Sequence, residues 1–135
     1  MFMLNELLIK DLSDQVDTNT SDIQDIKDAE IYSTNEVKTN QRWIDGKPIY
    51  RKVFYVNHFA NNDSITISHG LTNFEIVNFA GIATNGSDLW MSANSGSQSG
   101  KMTITSNATT IFAYASSDRT GLHGYIIIEY IKTTD

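Results

Sequence analysis

"TNQRWIDGKPIYRK", residues 39–52, holds the chain's one proline and separates two kinds of sequence. Before it, apolar residues recur at spacings of three and four, the period of a helix, and after it they alternate with polar ones, the period of a strand. Within it, Asp45-Gly46 predicts a tight hairpin of type I′, because both central residues of that turn need positive φ. Trp43-Ile44 then lies beside Lys47-Pro48-Ile49, and Pro48, which has no N–H, is confined to a sheet edge or the start of a strand. Two roles fit this hairpin. It caps the end of a helical stalk, with Trp43 burying its ring against the first strand beyond, or it is the ordinary first hairpin of a β head. Trp43, Asp45, Gly46, Pro48 and Tyr50 are the candidate stalk–head junction.

On the N-terminal side, Phe2, Asn5, Ile9, Leu12, Val16, Asn19, Ile23 and Ile26 form an a/d heptad seam, β-branched at most a positions. The seam closes at Glu30, where the next a position turns acidic. Asp11, Asp14, Asp17, Asp22, Asp25 and Asp28 surround it, so a lone helix buries too little to be stable in water and calls for partner chains. Asp22 at g and Lys27 at the following e are placed to pair between parallel neighbours. The contrasting reading is one amphipathic helix packed on its own domain. Asn19 sits at d beside Thr20, where an unpaired amide is costly. Several amides around an axis can satisfy one another or coordinate a buried anion. Leu4, Leu7 and Leu8 lie off the seam and widen the apolar surface at the N-terminal end, which suits docking onto a larger structure.

The stretch from Ile31 to Gln41 has no clear period and reads as a connector. Beyond it, seven short segments rich in β-branched and aromatic residues read as strands: 48–56, 64–68, 74–83, 89–93, 101–105, 110–116 and 124–132. Turn clusters separate them, and no helical segment intervenes. The expected fold is therefore mainly β: a coiled-coil stalk over 1–31, a connector over 32–42, and an antiparallel, jelly-roll-like β-sandwich head over 43–135.

Composition narrows the function. Sixteen acidic residues against ten Lys and Arg give a net charge of −6, which disfavours nucleic acid and anionic membranes as partners. The absence of cysteine excludes a disulfide scaffold, a thiol nucleophile and a thiolate metal site. The opening "MFMLNELLIKDL" is too short and too polar to span a bilayer, and it lacks the marks of a signal peptide.

His58, His69 and His123 lack metal-binding spacing, and no nucleophile elbow or phosphate loop is present, so no enzyme, metal or cofactor is expected. A glycosidase pair among Asp63, Glu75, Asp88, Asp118 and Glu129 would need them to converge in space. Saccharide recognition asks for an aromatic face with planar hydrogen-bonding groups nearby. Asp88 and Trp90 beside one turn, and Asp118, Arg119 and His123 on the loop before the last strand, are the candidate ligand-binding residues. The plain alternatives are a core or subunit-interface Trp90, a solvated Arg119 ion pair and a turn histidine.

Two resemblances add to this reading. Val16, Asn19, Thr20 and Ile23 are similar to the V-x-x-N-T-x-x-I/L polar layer of trimeric fibre coiled coils in bacterial adhesins and phage fibres. "YSTNEVKTNQRWIDGKPIYRKVF" and the closing "GYIIIEYIKTTD" resemble segments of phage tail-fibre, baseplate and head-fibre proteins. The resemblance implies a homotrimer with a parallel coiled coil over Ile9, Leu12, Val16, Asn19, Ile23 and Ile26. It also implies an exterior virion appendage, made in the host cytoplasm, that docks on other virion proteins through its N-terminal helix and attaches to host-surface saccharide. A capsid-decorating head fibre with a structural role is the alternative.

Overall fold

The computed structural model describes residues 2–87, 89–91 and 102–135. It contains one helix, α1 (Phe2–Ala29), and strands β1 (Val37–Arg42), β2 (Pro48–Val56), β3 (Asn61–Ser68), β4 (Phe74–Thr84), β5 (Leu89–Met91), β6 (Met102–Ser106), β7 (Thr110–Asp118) and β8 (His123–Lys132). The protein is mainly β with antiparallel sheets, as the alternating segments predict. It divides into two compact units, residues 1–31 and 32–135.

In the first unit, α1 carries Lys27 in its last turn, where a cation suits the helix dipole. Lys10 Nζ meets Asp14 Oδ2 at 2.8 Å and Gln24 Nε2 donates to Asp28 Oδ1 at 2.8 Å. Pairs of this kind contribute only about 0.2–0.5 kcal/mol each. Thr20 Oγ1 donates back to the Val16 carbonyl at 2.8 Å, so its hydroxyl is used within the helix. The heptad seam is bare in the single chain: Ile9, Leu12, Val16, Ile23 and Ile26 are 53–67 % exposed, and Asn19 is exposed with them.

In the second unit, one sheet has the order β1-β2-β8-β4-β5 and the other β3-β7-β6. Alternation along β8 turns Ile126, Ile128 and Tyr130 to one face, and alternation along β7 does the same for Ile111, Ala113 and Ala115. Ile111, Ala113, Ile126, Ile128 and Tyr130 share one core with Val56 of β2, Ala83 of β4, and Met102 and Ile104 of β6. Phe59, Leu71 and Leu122, from the connections between strands, close that core. β8 is the hub, pairing with β2 along Tyr50↔Tyr130 to Val56↔Gly124 and with β4 along Phe74↔Lys132 to Thr84↔His123.

Two expectations are corrected here. Residues 32–42, read as a connector, contain β1, which pairs with β2 from Val37↔Arg51 to Arg42↔Pro48. An edge strand needs little apolar surface, so "VKTNQR" shows no period. Thr39 alone in it is buried, its hydroxyl donating to the Ile49 carbonyl at 2.7 Å.

The turn at Asp45-Gly46 is not type I′, since of the two residues only Gly46 has positive φ, at +85°. Gly46 N–H donates to the Trp43 carbonyl and Trp43 N–H to the Lys47 carbonyl, both at 2.9 Å. That is a three-residue loop in which a left-handed glycine forms the bulge. Arg42 Nη1 donates to the Gly46 carbonyl at 2.8 Å and fixes the loop, while Trp43 is only half-buried. Pro48 opens β2, as its missing N–H requires. The hairpin is thus built into the five-stranded sheet.

Candidate functional site

The loop between β7 and β8 is short and tied down. Asp118 Oδ1 accepts from the Thr120 N–H at 3.0 Å and from Thr120 Oγ1 at 2.7 Å. Those two bonds hold the Asp118 carboxyl below its ordinary pKa. Arg119 N–H donates to the Ala60 carbonyl at 3.0 Å, and Phe59 N–H to the Leu122 carbonyl at 3.1 Å, so the loop is fastened to the β2–β3 connection. Asp118 is therefore a turn-forming residue whatever else it does.

The five-stranded sheet brings part of the predicted site together. Thr84 pairs with His123 on one side and Leu89 on the other, and Ala83 pairs with Gly124 and Trp90. His123 and the Trp90 backbone thus share one end of the sheet, with Asp118 and Arg119 on the adjoining loop. Asp88 lies outside the described residues.

On the same face of β8 as His123 stands Tyr125, in a cross-strand row with Tyr55 and Ile82. Tyr55 and Tyr125 are 50 % and 45 % exposed, with ring centroids 5.3 Å apart and planes tilted by 54°. The next row is Val53, Ile127 and Ala80. Sequence reasoning passed over this pair because both tyrosines sit inside strands that read as core. Phase was the available signal for Tyr125, which alternates with buried Gly124 and Ile126, whereas Tyr55 shares its face with buried Val53 and carried no such mark.

The other end of β8, about 30 Å away at ~3.3 Å per residue, carries a polar cluster that sequence reasoning did not single out. Tyr130 OH donates to Glu36 Oε2, and Lys132 Nζ donates to Glu36 Oε1 at 2.6 Å. Tyr50 OH donates to Asp135 Oδ2 at 2.8 Å. The Tyr50 ring stacks on Tyr130 at 5.9 Å and lies 4.1 Å beneath the Lys132 ammonium. These residues come from two distant segments, "STNEVK…KPIY" and "YIKTTD". Chain segments more than eighty residues apart are thereby clasped at one corner.

Partial burial pushes the Glu36 carboxyl up, but hydrogen bonds from Lys132 and Tyr130, with the Lys132 and Lys52 charges, outweigh it and leave its pKa lowered. Burial, then the bond to Glu36, pushes the Tyr130 phenol up, and the bond to Glu36 raises Lys132. The lowered carboxyl contributes stability that is complete above its unfolded value near 4.5 and is lost as pH falls through the folded value. The raised phenol and ammonium contribute stability that is lost as pH climbs past about 10.

Glu36→Gln should therefore lower the thermal midpoint at neutral pH, and its deficit should shrink as pH drops from about 5 to about 3. The Glu36 side chain is 37 % exposed, so solvent screening keeps the expected loss under about 1 kcal/mol. Calorimetry across that range checks it, and a deficit independent of pH would show that the charge has no part in the clasp.

Beside the clasp lies a cleft of about 280 Å³ lined by Glu36, Gly70, Leu71, Thr72, Asn73, Tyr130, Lys132 and Thr134. Its loop wall is built on His69, which is 1 % exposed. Leu71 N–H donates to His69 Nδ1 at 3.0 Å, so Nε2 carries the proton and donates to the Asn107 carbonyl at 3.0 Å. His69 is a structural pin. His58 is exposed, its Nδ1 3.4 Å from the Phe59 carbonyl. Among the described residues no three His, Cys, Asp or Glu cluster as metal ligands would, and no helix is long and apolar enough to cross a membrane.

No family model matches the chain. No curated protein matches it, and no solved structure does.

Proposed function

We propose that the chain is a phage virion protein, a homotrimeric fibre or baseplate appendage whose head binds host-surface saccharide without turning it over. The observation that carries this reading is the bare heptad seam of α1. Five apolar side chains over half exposed in a single stripe, interrupted by an amide at a core position, make poor sense alone and good sense around an axis. Among the described residues neither Asp22 nor Lys27 makes an ion pair within its own helix, which leaves both for a parallel neighbour. The Asn19 layer would hold three inward amides, either bonded to one another or around an anion, and no other cofactor is called for.

The head fits a shortened jelly-roll-like sandwich. β2, β8 and β4 adjoin in one sheet, β3 and β7 in the other, and the chain passes from sheet to sheet between β2, β3 and β4. The half-exposed Tyr55–Tyr125 row is apolar surface that assembly, or a ligand, would cover. Three identical sites would let each bind weakly.

A second reading, a capsid-decorating head fibre with a structural role, draws on Leu4, Leu7 and Leu8. They are 54–61 % exposed and lie off the seam, where a shell protein could receive them.

Light scattering of the purified chain should return three times its 15.1 kDa. An array of host-surface glycans should show binding that weakens with Trp90→Ala or Arg119→Ala. A trimer that binds no glycan on the array would favour the structural reading, and a monomer would remove both.

A further inference from the structure

We propose that the cleft between the Gly70–Asn73 loop and the Glu36–Lys132 pair binds one uncharged, hydroxyl-rich glycosyl unit. This rests on the saccharide reading above and adds a second binding position, at the opposite end of β8 from His123.

Size sets the scale. A volume of about 280 Å³ falls just below the range of about 300–1,000 Å³ usual for drug-sized ligands, so the cleft has room for one small ring. Chemistry sets the class. The Lys132 ammonium spends one of its three donors on Glu36, and the Glu36 carboxylate, with about four acceptor sites, receives Lys132 and Tyr130. Around that pair stand the Thr72 and Thr134 hydroxyls and the Asn73 amide, all exposed. A fixed acceptor beside a fixed donor, ringed by groups that do both, suits neighbouring hydroxyls on a sugar.

The local charge is balanced: Glu36 and Asp135 face Lys132, while Lys52 acts on Glu36 and donates to the His69 carbonyl at 3.3 Å. Two carboxylates against two ammonium groups give no net field to select a charged ligand. Tyr130, the one aromatic residue among the described lining residues, is only 1 % exposed, so recognition rests on hydrogen bonds and not on stacking.

The site is also built in advance. Asn73 holds a left-handed φ of +50°, uncommon for a residue with a side chain, and its carbonyl accepts from the Thr133 N–H at 2.7 Å. That bond ties the loop to the segment carrying Lys132 and Thr134. His69 pins Leu71 from beneath, and the clasp orients Glu36 and Lys132, so little ordering remains for a ligand to cost.

The test is a titration of the full chain, followed through its backbone amide resonances, with the methyl glycosides of glucose, galactose, mannose and N-acetylglucosamine, and with N-acetylneuraminic acid as the charged comparison. At least one neutral glycoside should shift the amides of residues 70–73 and 132–134, and the acid should shift them less. Asn73→Gly keeps the left-handed backbone and removes the amide, and should weaken that binding about tenfold while leaving distant resonances in place.

Shifts confined to residues 84 and 118–123 would overturn the cleft while leaving a saccharide-binding head intact. Binding unchanged by Asn73→Gly, or stronger for the acid, would overturn it as well. Sugar binding at no position would remove the saccharide reading together with the cleft.

Discussion

Gly124→Ala is expected to destabilise the head by on the order of 4 kcal/mol or more, at the far end of what single substitutions do. A Cβ at position 124 would stand 1.8 Å from the Ile82 carbonyl oxygen, 2.8 Å from the Ile82 carbonyl carbon and 3.0 Å from the Ala83 Cα. All three are backbone atoms, so no side chain can turn aside to make room. Relief requires β4 and β8 to part where Ala83 pairs with Gly124, beside the core residues Ala83 and Ile126. Gly121→Ala is the matched control, because a Cβ there meets nothing within 4 Å. Urea denaturation of both variants decides it, and equal midpoints would mean that the two strands do not approach as closely as described.

Ile23→Asp should reduce the assembled species to single chains. Ile23 occupies an a position of the seam and is 53 % exposed in the lone chain. Around a threefold axis the substitution would set three carboxylates against one another in an apolar layer one step from Asn19, and a buried charge without a partner is among the costliest changes a core can receive. The light-scattering mass should fall from three times 15.1 kDa to that value once, and the helical signal near 222 nm should fall with it. The β signal should persist, since the head has a core of its own. A variant that kept its mass would show that α1 does not hold the chains together, and the appendage reading would lose its main support.

Most of the strands were legible because their apolar residues alternate. The segment "PIYRKVFYV" coincides with β2, and "GYIIIEYIK" falls one residue short of β8. β1 was not legible, because an edge strand held by one buried threonine carries no period. The turn type at Asp45-Gly46 was misjudged because the dipeptide serves both the two-residue loop and the bulged three-residue loop, and only φ at Asp45 separates them.

The candidate site was legible in halves. Loop position marked Asp118, Arg119 and His123, and register then brought His123 and Trp90 to one sheet end. The Glu36–Tyr130–Lys132 cluster could not be read from spacing, since its members are joined through the pairing of β1 with β2 and of β2 with β8.

Of the eight described strands, the one in the middle of the larger sheet is the last that the ribosome makes. Until β8 emerges, β2 and β4 have open flanks, and Ile126, Ile128 and Tyr130 are missing from the interior they fill. The helix, by contrast, precedes every described strand in the chain and closes through contacts a few residues apart. If α1 assembles around a threefold axis as proposed, three nascent chains can be joined through it while their heads are still open, and each head then finishes folding with its siblings already beside it.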